Sequence, residues 1–227
     1  MEIPAYPASR PLDVSDGEIL KPIFNLLQPV ISELTFAGLF LFRKAHDYHL
    51  SMLGDSFLIL GKLYDGSACF LPPLSGDIPK ALDTLFNDGM KLYGGDEEFA
   101  RLYLGKNDIV CFYDRDAFDY LYLREELATL PGNRFHKKRN RISYFAARHG
   151  HSVEIFSERH AKGCRELVSR LLEITPENSL SLRLELEAAS EGAAMARYLV
   201  SIRKGCFSPL AASIFGFSCA AYLCTPP

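Results

Sequence analysis

Tyr48–Leu53 (YHLSML), Ser56–Lys62 (SFLILGK) and Ser67–Leu71 (SACFL) follow one another in the chain, separated by Gly54-Asp55 and Asp65-Gly66. Each run has strand length, and each Gly/Asp pair suits the tight turn between antiparallel strands. The row predicts a meander of three strands. Upstream, an N-cap candidate at Ser15 precedes Ile19, Leu20, Ile23, Phe24, Leu26 and Leu27, the 3/4 spacing of an apolar helical face that Pro29 closes. Thr35–Lys44 (TFAGLFLFRK) is too apolar for a solvated loop and predicts a second, buried helix, with Arg43 and Lys44 at its negative end.

Downstream, Asp77 caps IPKALDTLFND, which Gly89 ends, and Lys91–Tyr93 is a short strand. Asp96, Glu97 and Glu98 open a fourth helix through Leu104. Ile109–Tyr113 and Phe118–Leu123 supply two last strands rich in aromatic and β-branched residues. The order helix, helix, three strands, helix, strand, helix, two strands resembles the Gcn5-related N-acetyltransferase (GNAT) arrangement, an α/β fold with a mixed sheet flanked by helices. That resemblance implies an acyl carrier held by its pyrophosphate on backbone amides before the third helix. Here that segment reads Pro72-Pro73-Leu74-Ser75-Gly76-Asp77, with two residues lacking N–H and a carboxylate where the phosphate charge would sit. The expectation is a capped helix after a tight turn and no cofactor in this first domain.

At 227 residues, with 48% hydrophobic and 23% charged residues, the chain has the composition of a folded domain or two. A formal net charge of -3 names no polyanionic partner, so any such attraction must be local. Cysteines 69, 111, 164, 206, 219 and 224 include no Cys-x-x-Cys and no paired Cys/His spacing, so no metal is expected. MEIPAYPASRPLDVSDGE lacks the pattern of a secretion signal, and Gly205–Pro227, though uncharged, is broken by Pro209 and several serines. The expectation is a cytoplasmic chain, at most peripheral at a membrane, with no integral span.

The stretch from Asp119 to Asn140, DYLYLREELATLPGNRFHKKRN, carries a second resemblance. Asp119-Tyr120-Leu121-Tyr122, the Leu130-Pro131-Gly132 turn and His136-Lys137-Lys138-Arg139-Asn140 are similar to the pattern of a bacterial family named for the C-terminal domain of phosphatidylglycerol lysyltransferase. The Thr35–Arg43 helix and Leu71-Pro72-Pro73-Leu74 are similar too, so the likeness covers about residues 10–173. It implies two GNAT-like domains in tandem, the first over residues 1–125, the start of a second over 126–173. It also implies an aminoacyl or acyl transferase, with an acyl carrier or aminoacyl-tRNA as donor. Asp119, Tyr120, Tyr122, Gly132, Arg139 and Asn140 stand as structural motif residues.

On a helical wheel, Arg134, Lys137, Lys138, Arg141 and Arg148 fall within about 100° of one another, while Phe135, Ile142 and Ala146 form an apolar stripe. No Asp or Glu stands between Leu130 and Gly150. Three readings stay open: a solvated face partly paired with Asp114, Asp116, Asp119, Glu125 and Glu126; a phosphate site for tRNA, a carrier or an anionic lipid headgroup; or a nonspecific nucleic-acid or membrane-surface patch, in which the few aromatics among the charges disfavour single-strand stacking. The candidate phosphate-binding residues are Arg134, His136, Lys137, Lys138, Arg141 and Arg148. His136 can move a proton near neutral pH or serve as a cap. Arg139, at the stripe's edge, reads as the partner of a carboxylate.

No catalytic residue is assigned. Neither a Gly-x-Ser-x-Gly elbow nor a phosphate-loop lysine occurs, and Cys111 and Cys164 read as inert thiols. Direct attack by a positioned acceptor needs no nucleophile from the chain. Val153–Phe156 predicts a strand and Glu158–Glu173 a helix, so a second domain begins. Residues 174–227, rich in Ser, Ala and Cys, show no comparable alternation. They are expected to be a frameshifted or truncated tail, or a divergent helical cap, leaving a second domain incomplete and the chain inactive. A non-catalytic anion-binding module is the rival reading.

Overall fold

The computed structural model describes residues 2–105, 109–114, 123–151, 157–195 and 221–225. The helices are α1 (Gly17–Leu27), α2 (Phe36–Phe42), α3 (Ile78–Asn87), α4 (Glu97–Tyr103), α5 (Arg124–Thr129), α6 (His136–Ala146), α7 (Ala161–Ile174) and α8 (Leu180–Ala194). The strands are β1 (Arg10–Pro11), β2 (His49–Leu53), β3 (Ser56–Lys62), β4 (Ala68–Phe70), β5 (Lys91–Gly95), β6 (Val110–Asp114) and β7 (Ala221–Thr225). They form one mixed sheet in the order β1-β2-β3-β4-β5-β7-β6. The fold is GNAT-like α/β.

The meander is present: β2, β3 and β4 pair antiparallel, with Leu53 opposite Ser56 and Lys62 opposite Ala68. Gly54 and Gly66 take φ of 62° and 80° in the two turns, a region that favours glycine. β4 and β5 run parallel, with Phe70 opposite Leu92, because α3 carries the chain across one face between them. Alternation along β3 divides the core. Phe57 and Ile59 pack with Leu20, Phe24 and Leu39 of α1 and α2, whereas Leu58 and Leu60 pack with Ala81, Leu82, Leu85 and Phe86 of α3.

Local chemistry explains the helix starts, with one change from expectation. The first cap is Asp13 rather than Ser15: its Oδ1 accepts the Ser15 N–H at 3.0 Å, and Asp16 Oδ2 accepts the Asp13 N–H at 2.7 Å. Val14–Asp16 is a 3-10 turn before α1. Thr35 Oγ1 accepts from Gly38 N–H, Asp77 from Lys80 N–H and Asp96 from Phe99 N–H, each at the expected helix start.

The Pro72–Asp77 loop is docked on the β2–β3 turn. Phe57 N–H donates to Ser75 Oγ at 3.1 Å, Ser75 Oγ–H donates to the Asp55 carbonyl at 2.9 Å, and Leu74 N–H donates to the Phe57 carbonyl at 3.0 Å. Gly76 has φ +76°, and a Cβ there would lie 2.5 Å from Ser56 N.

Two regions depart from the expected order. β7, from the end of the chain, lies between β5 and β6 and is antiparallel to both. Residues 118–122, most of the expected last strand, and residues 153–156, expected as a strand, lie outside the described residues. Within the stretch from 174 onward, α8 packs on α7 and α2. Arg43 Nη1 is 2.6 Å from Glu191 Oε2, Lys44 pairs with the other oxygen, and Arg183 Nη1 donates to the Thr175 carbonyl at 3.2 Å, closing the end of α7. Leu180–Ala194 forms a helix despite its weak pattern, because charged clips at either end hold it to its neighbours.

Candidate functional site

The Leu130–Gly132 turn builds the site. Leu130 has φ 48° and Gly132 φ 71°, so α5 ends sharply and the chain reverses into Asn133–Phe135 and then α6. Three side chains fix the reversal. Phe135 is buried. Arg139 Nη1 donates to the Gly132 carbonyl at 2.8 Å and to the Leu130 carbonyl, satisfying groups that the end of α5 leaves open. Arg134 forms an ion pair with Glu126 of α5, and its guanidinium lies 4.8 Å from the Phe135 ring centre.

Among the described residues, the partners of Arg139 are these two carbonyls; Asp116 and Asp119, two of the carboxylates the sequence offers nearby, lie outside the described residues. Carbonyl oxygens with unused lone pairs satisfy a guanidinium without a second charge. Gly132 has its structural role through φ and its carbonyl. Asn140 Nδ2 lies 3.0 Å from His136 Nε2, so the amide donates and holds that ring nitrogen as an acceptor. Asp119, Tyr120 and Tyr122 lie outside the described residues.

Arg134, His136, Lys137, Lys138, Arg141 and Arg148 are all exposed: Arg134 in the 3-10 turn before α6, His136, Lys137, Lys138 and Arg141 on α6, and Arg148 just past its end. Of the carboxylates expected to neutralise the face, Glu126 is engaged by Arg134. The apolar stripe differs from expectation: Phe135 is buried, yet Ile142 is 57% exposed. Nothing in the local sequence supplies the surface such a stripe needs, and the described elements do not cover it.

A second cluster was not legible in the sequence. His46, buried in the turn between α2 and β2, lies 5.2 Å from the Tyr48 ring, 4.9 Å from Tyr64 and 6.1 Å from Tyr93. Its Nδ1 is 3.0 Å from the Lys62 carbonyl and so carries the proton. Burial pulls its pKa below 6.5, the carbonyl bond offsetting only part of that. Burial likewise raises the Cys69 thiol to about 12, which makes it inert. The turns flanking β2 and β3 and the pairing of the strands bring residues 46, 48, 64 and 93 together. Glycine at position 61 is the one signal: a Cβ there would lie 2.8 Å from Tyr48 Cδ1 and from the His46 carbonyl. Beside Tyr64, Asn178–Leu182 line an open cleft of about 490 Å3.

Among the described residues, no group of three or more His, Cys, Asp or Glu is placed to hold a metal ion. None of the described helices is long and apolar enough to cross a membrane.

The mixed sheet and the helices around it define the class, a GNAT-like α/β protein with an exposed basic helix. A crystal structure from Bacteroides thetaiotaomicron VPI-5482, titled a conserved protein of unknown function, shares the fold. Its TM-score is 0.71 at 16% identity, over 96% of this chain and 99% of that one. The family model described as "Phosphatidylglycerol lysyltransferase, C-terminal" matches residues 24–196, and the chain belongs to that family. The match runs through α7 and α8, past residue 173 where the sequence reading ended the likeness. No curated protein matches.

Proposed function

We propose that the chain binds a phosphate-bearing acyl carrier through the cationic face of α6 and serves acyl or aminoacyl transfer to an amine or hydroxyl acceptor. Family membership supports lysyltransferase-like acyl transfer as the class. In that reaction the acceptor's lone pair forms a bond to the acyl carbonyl carbon, the bond from that carbon to the carrier's oxygen (ester) or sulfur (thioester) breaks, and the acceptor's proton ends on that leaving atom. The donor is an acyl carrier or aminoacyl-tRNA, and the activity belongs in the cytoplasm or peripherally at a membrane.

The observation that carries the reading is the exposed Lys137 and Arg141 on α6, with Arg148 just past its end, in a segment that holds no carboxylate of its own. Like charges on adjacent turns repel, and their summed field favours a polyanion. A second reading, a non-catalytic anion-binding module, is favoured by the Pro72–Asp77 loop, where side-chain and backbone groups already use the hydrogen bonds that a pyrophosphate would take.

The test replaces Lys137 and Arg141 together by Gln. Stability should stay within about 0.5 kcal/mol, as for ordinary surface changes. Affinity for tRNA or for anionic lipid vesicles should fall, and its salt dependence should flatten. Unchanged affinity with a large loss in melting temperature would make the face structural. A carrier-dependent product under turnover conditions would separate the transferase from the binding module.

A further inference from the structure

The basic face of α6 is not purely cationic. Tyr144 lies about 180° round the wheel from Phe135, on the far side from the buried anchor and in the same sector as Lys137, Arg141 and Arg148. It is 60% exposed, and the Arg148 guanidinium lies over its ring at 3.5 Å from the centroid. One residue on, Phe145 is 50% exposed, with the rings of His149 and His151 centred 4.8 Å and 5.3 Å away. Backbone bonds from Arg148 N–H and His149 N–H to the Phe145 carbonyl, at 3.0 Å and 2.9 Å, carry one more turn past Ala146 and hold these groups in place.

We infer that Tyr144 with Arg148, and Phe145 with His149 and His151, form a stacking platform for unpaired nucleobases of a single-stranded nucleic acid. The inference deepens the phosphate-binding reading of α6 and rests on it. An aromatic ring and a guanidinium each offer a planar face to a base, while neighbouring Lys137 and Arg141 supply charge for the phosphates. A helix seated in a lipid surface segregates its charges from its aromatic residues. Here Tyr144 stands among the charges, which favours a ligand that presents planes and phosphates side by side.

The chain contains no tryptophan, so Tyr144→Trp places a single fluorescent indole at the platform. The full chain is titrated with a single-stranded RNA of mixed sequence, with inorganic polyphosphate as a base-free polyanion, and with vesicles of phosphatidylglycerol and phosphatidylcholine. RNA should quench the emission of that indole. Tyr144→Ala should weaken RNA binding by about fivefold or more, leave polyphosphate binding unchanged and leave the melting temperature in place, whereas Tyr144→Phe should bind like the unaltered chain. If Tyr144→Ala and Phe145→Ala bind RNA normally while Lys137→Gln with Arg141→Gln weakens both polyanions, the platform is wrong and the phosphate reading stands. If those two changes also have no effect, both fail. Vesicle binding without RNA binding would overturn the platform in favour of a lipid surface.

Discussion

Glu191 of α8 reaches Arg43 at the end of α2 across 148 positions of sequence, Oε2 to Nη1 at 2.6 Å. The guanidinium is held from two other directions: it donates to the Phe40 carbonyl at 2.5 Å and lies 3.7 Å from the Phe40 ring centre. An arginine already fixed by its own helix loses little further freedom in binding a carboxylate, so this pair is stronger than a free surface pair. It is the polar bolt between the tail helix and the sheet layer.

Glu191→Gln should therefore destabilise the chain by about 1–2 kcal/mol at pH 7. Partial burial raises the Glu191 pKa, but the bonds from Lys44 and Arg43 outweigh it, and the net position is below the ordinary 4.5. A carboxylate with a lowered folded pKa contributes stability above its unfolded pKa and loses it as pH falls through the folded value. Denaturant midpoints of Glu191→Gln and the unaltered chain should thus converge below about pH 4. A constant gap between them down to pH 3 would show that the charge is not what holds α8.

Arg10 and Asp16 make a second prediction. Nη2 and Nη1 meet Oδ1 and Oδ2 at 2.6 Å and 2.9 Å, and Asp16 is buried while also accepting the Asp13 N–H. Asp16→Ala removes three acceptor bonds at once and leaves a part-buried guanidinium without its partner, which should cost about 3–5 kcal/mol. Urea unfolding measures it directly. A loss below 1 kcal/mol would show that Arg10 escapes to water with little penalty.

The loop before α3 gives a third. Gly76→Ala forces a side chain into φ +76° with its Cβ 2.5 Å from the Ser56 nitrogen, so the β2–β3 turn must shift. The expected loss is about 1–3 kcal/mol. The same docking predicts that coenzyme A thioesters show no heat of binding dependent on Ser75, Gly76 or Asp77. Micromolar binding abolished by Asp77→Ala would show that the loop opens for a carrier.

Local signals made the fold legible. Turn glycines at 54 and 66, caps at Thr35, Asp77 and Asp96, and strand runs of period two each settle their own element within a few residues, and together they mark out the β2–β4 meander, though not the place of β7 between β5 and β6. Partnerships between distant segments were not readable. Arg43 and Lys44 looked suited to the end of α2, but Glu191 as their acceptor depends on where α8 lands. Ile142 looked like core because its spacing matches Phe135, whereas burial depends on a covering surface that the helix does not itself supply. Arg139 stands off the basic sector in the sequence, but its bonds to the Leu130 and Gly132 carbonyls depend on the left-handed turn at Leu130, which the sequence pattern does not show. Tyr144 and Phe145 were visible in the sequence, but the guanidinium and imidazole planes against them were not.

His46 gives the last prediction. Buried among Tyr48, Tyr64 and Tyr93, with Nδ1–H donated to the Lys62 carbonyl, it faces aromatic rings and one carbonyl. Asp47 beside it in sequence is turned to Lys62, Oδ2 to Nζ at 2.7 Å, and to His49. Burial lowers the His46 pKa below 6.5, so the unfolded chain binds a proton at a pH where the folded chain refuses it. A group with a depressed folded pKa contributes stability above its unfolded value and loses it as pH falls toward the folded one. Melting temperature should accordingly drop as pH is lowered from 7 to 5, with His46 as one source of the slope. His46→Phe keeps the aromatic packing and removes the proton site, so it should flatten that part of the profile, and the loss of the bond to Lys62 should appear as a pH-independent cost of about 1 kcal/mol. If the variant retains the full slope between pH 7 and 5, another group carries the acid sensitivity and His46 is only a packing element.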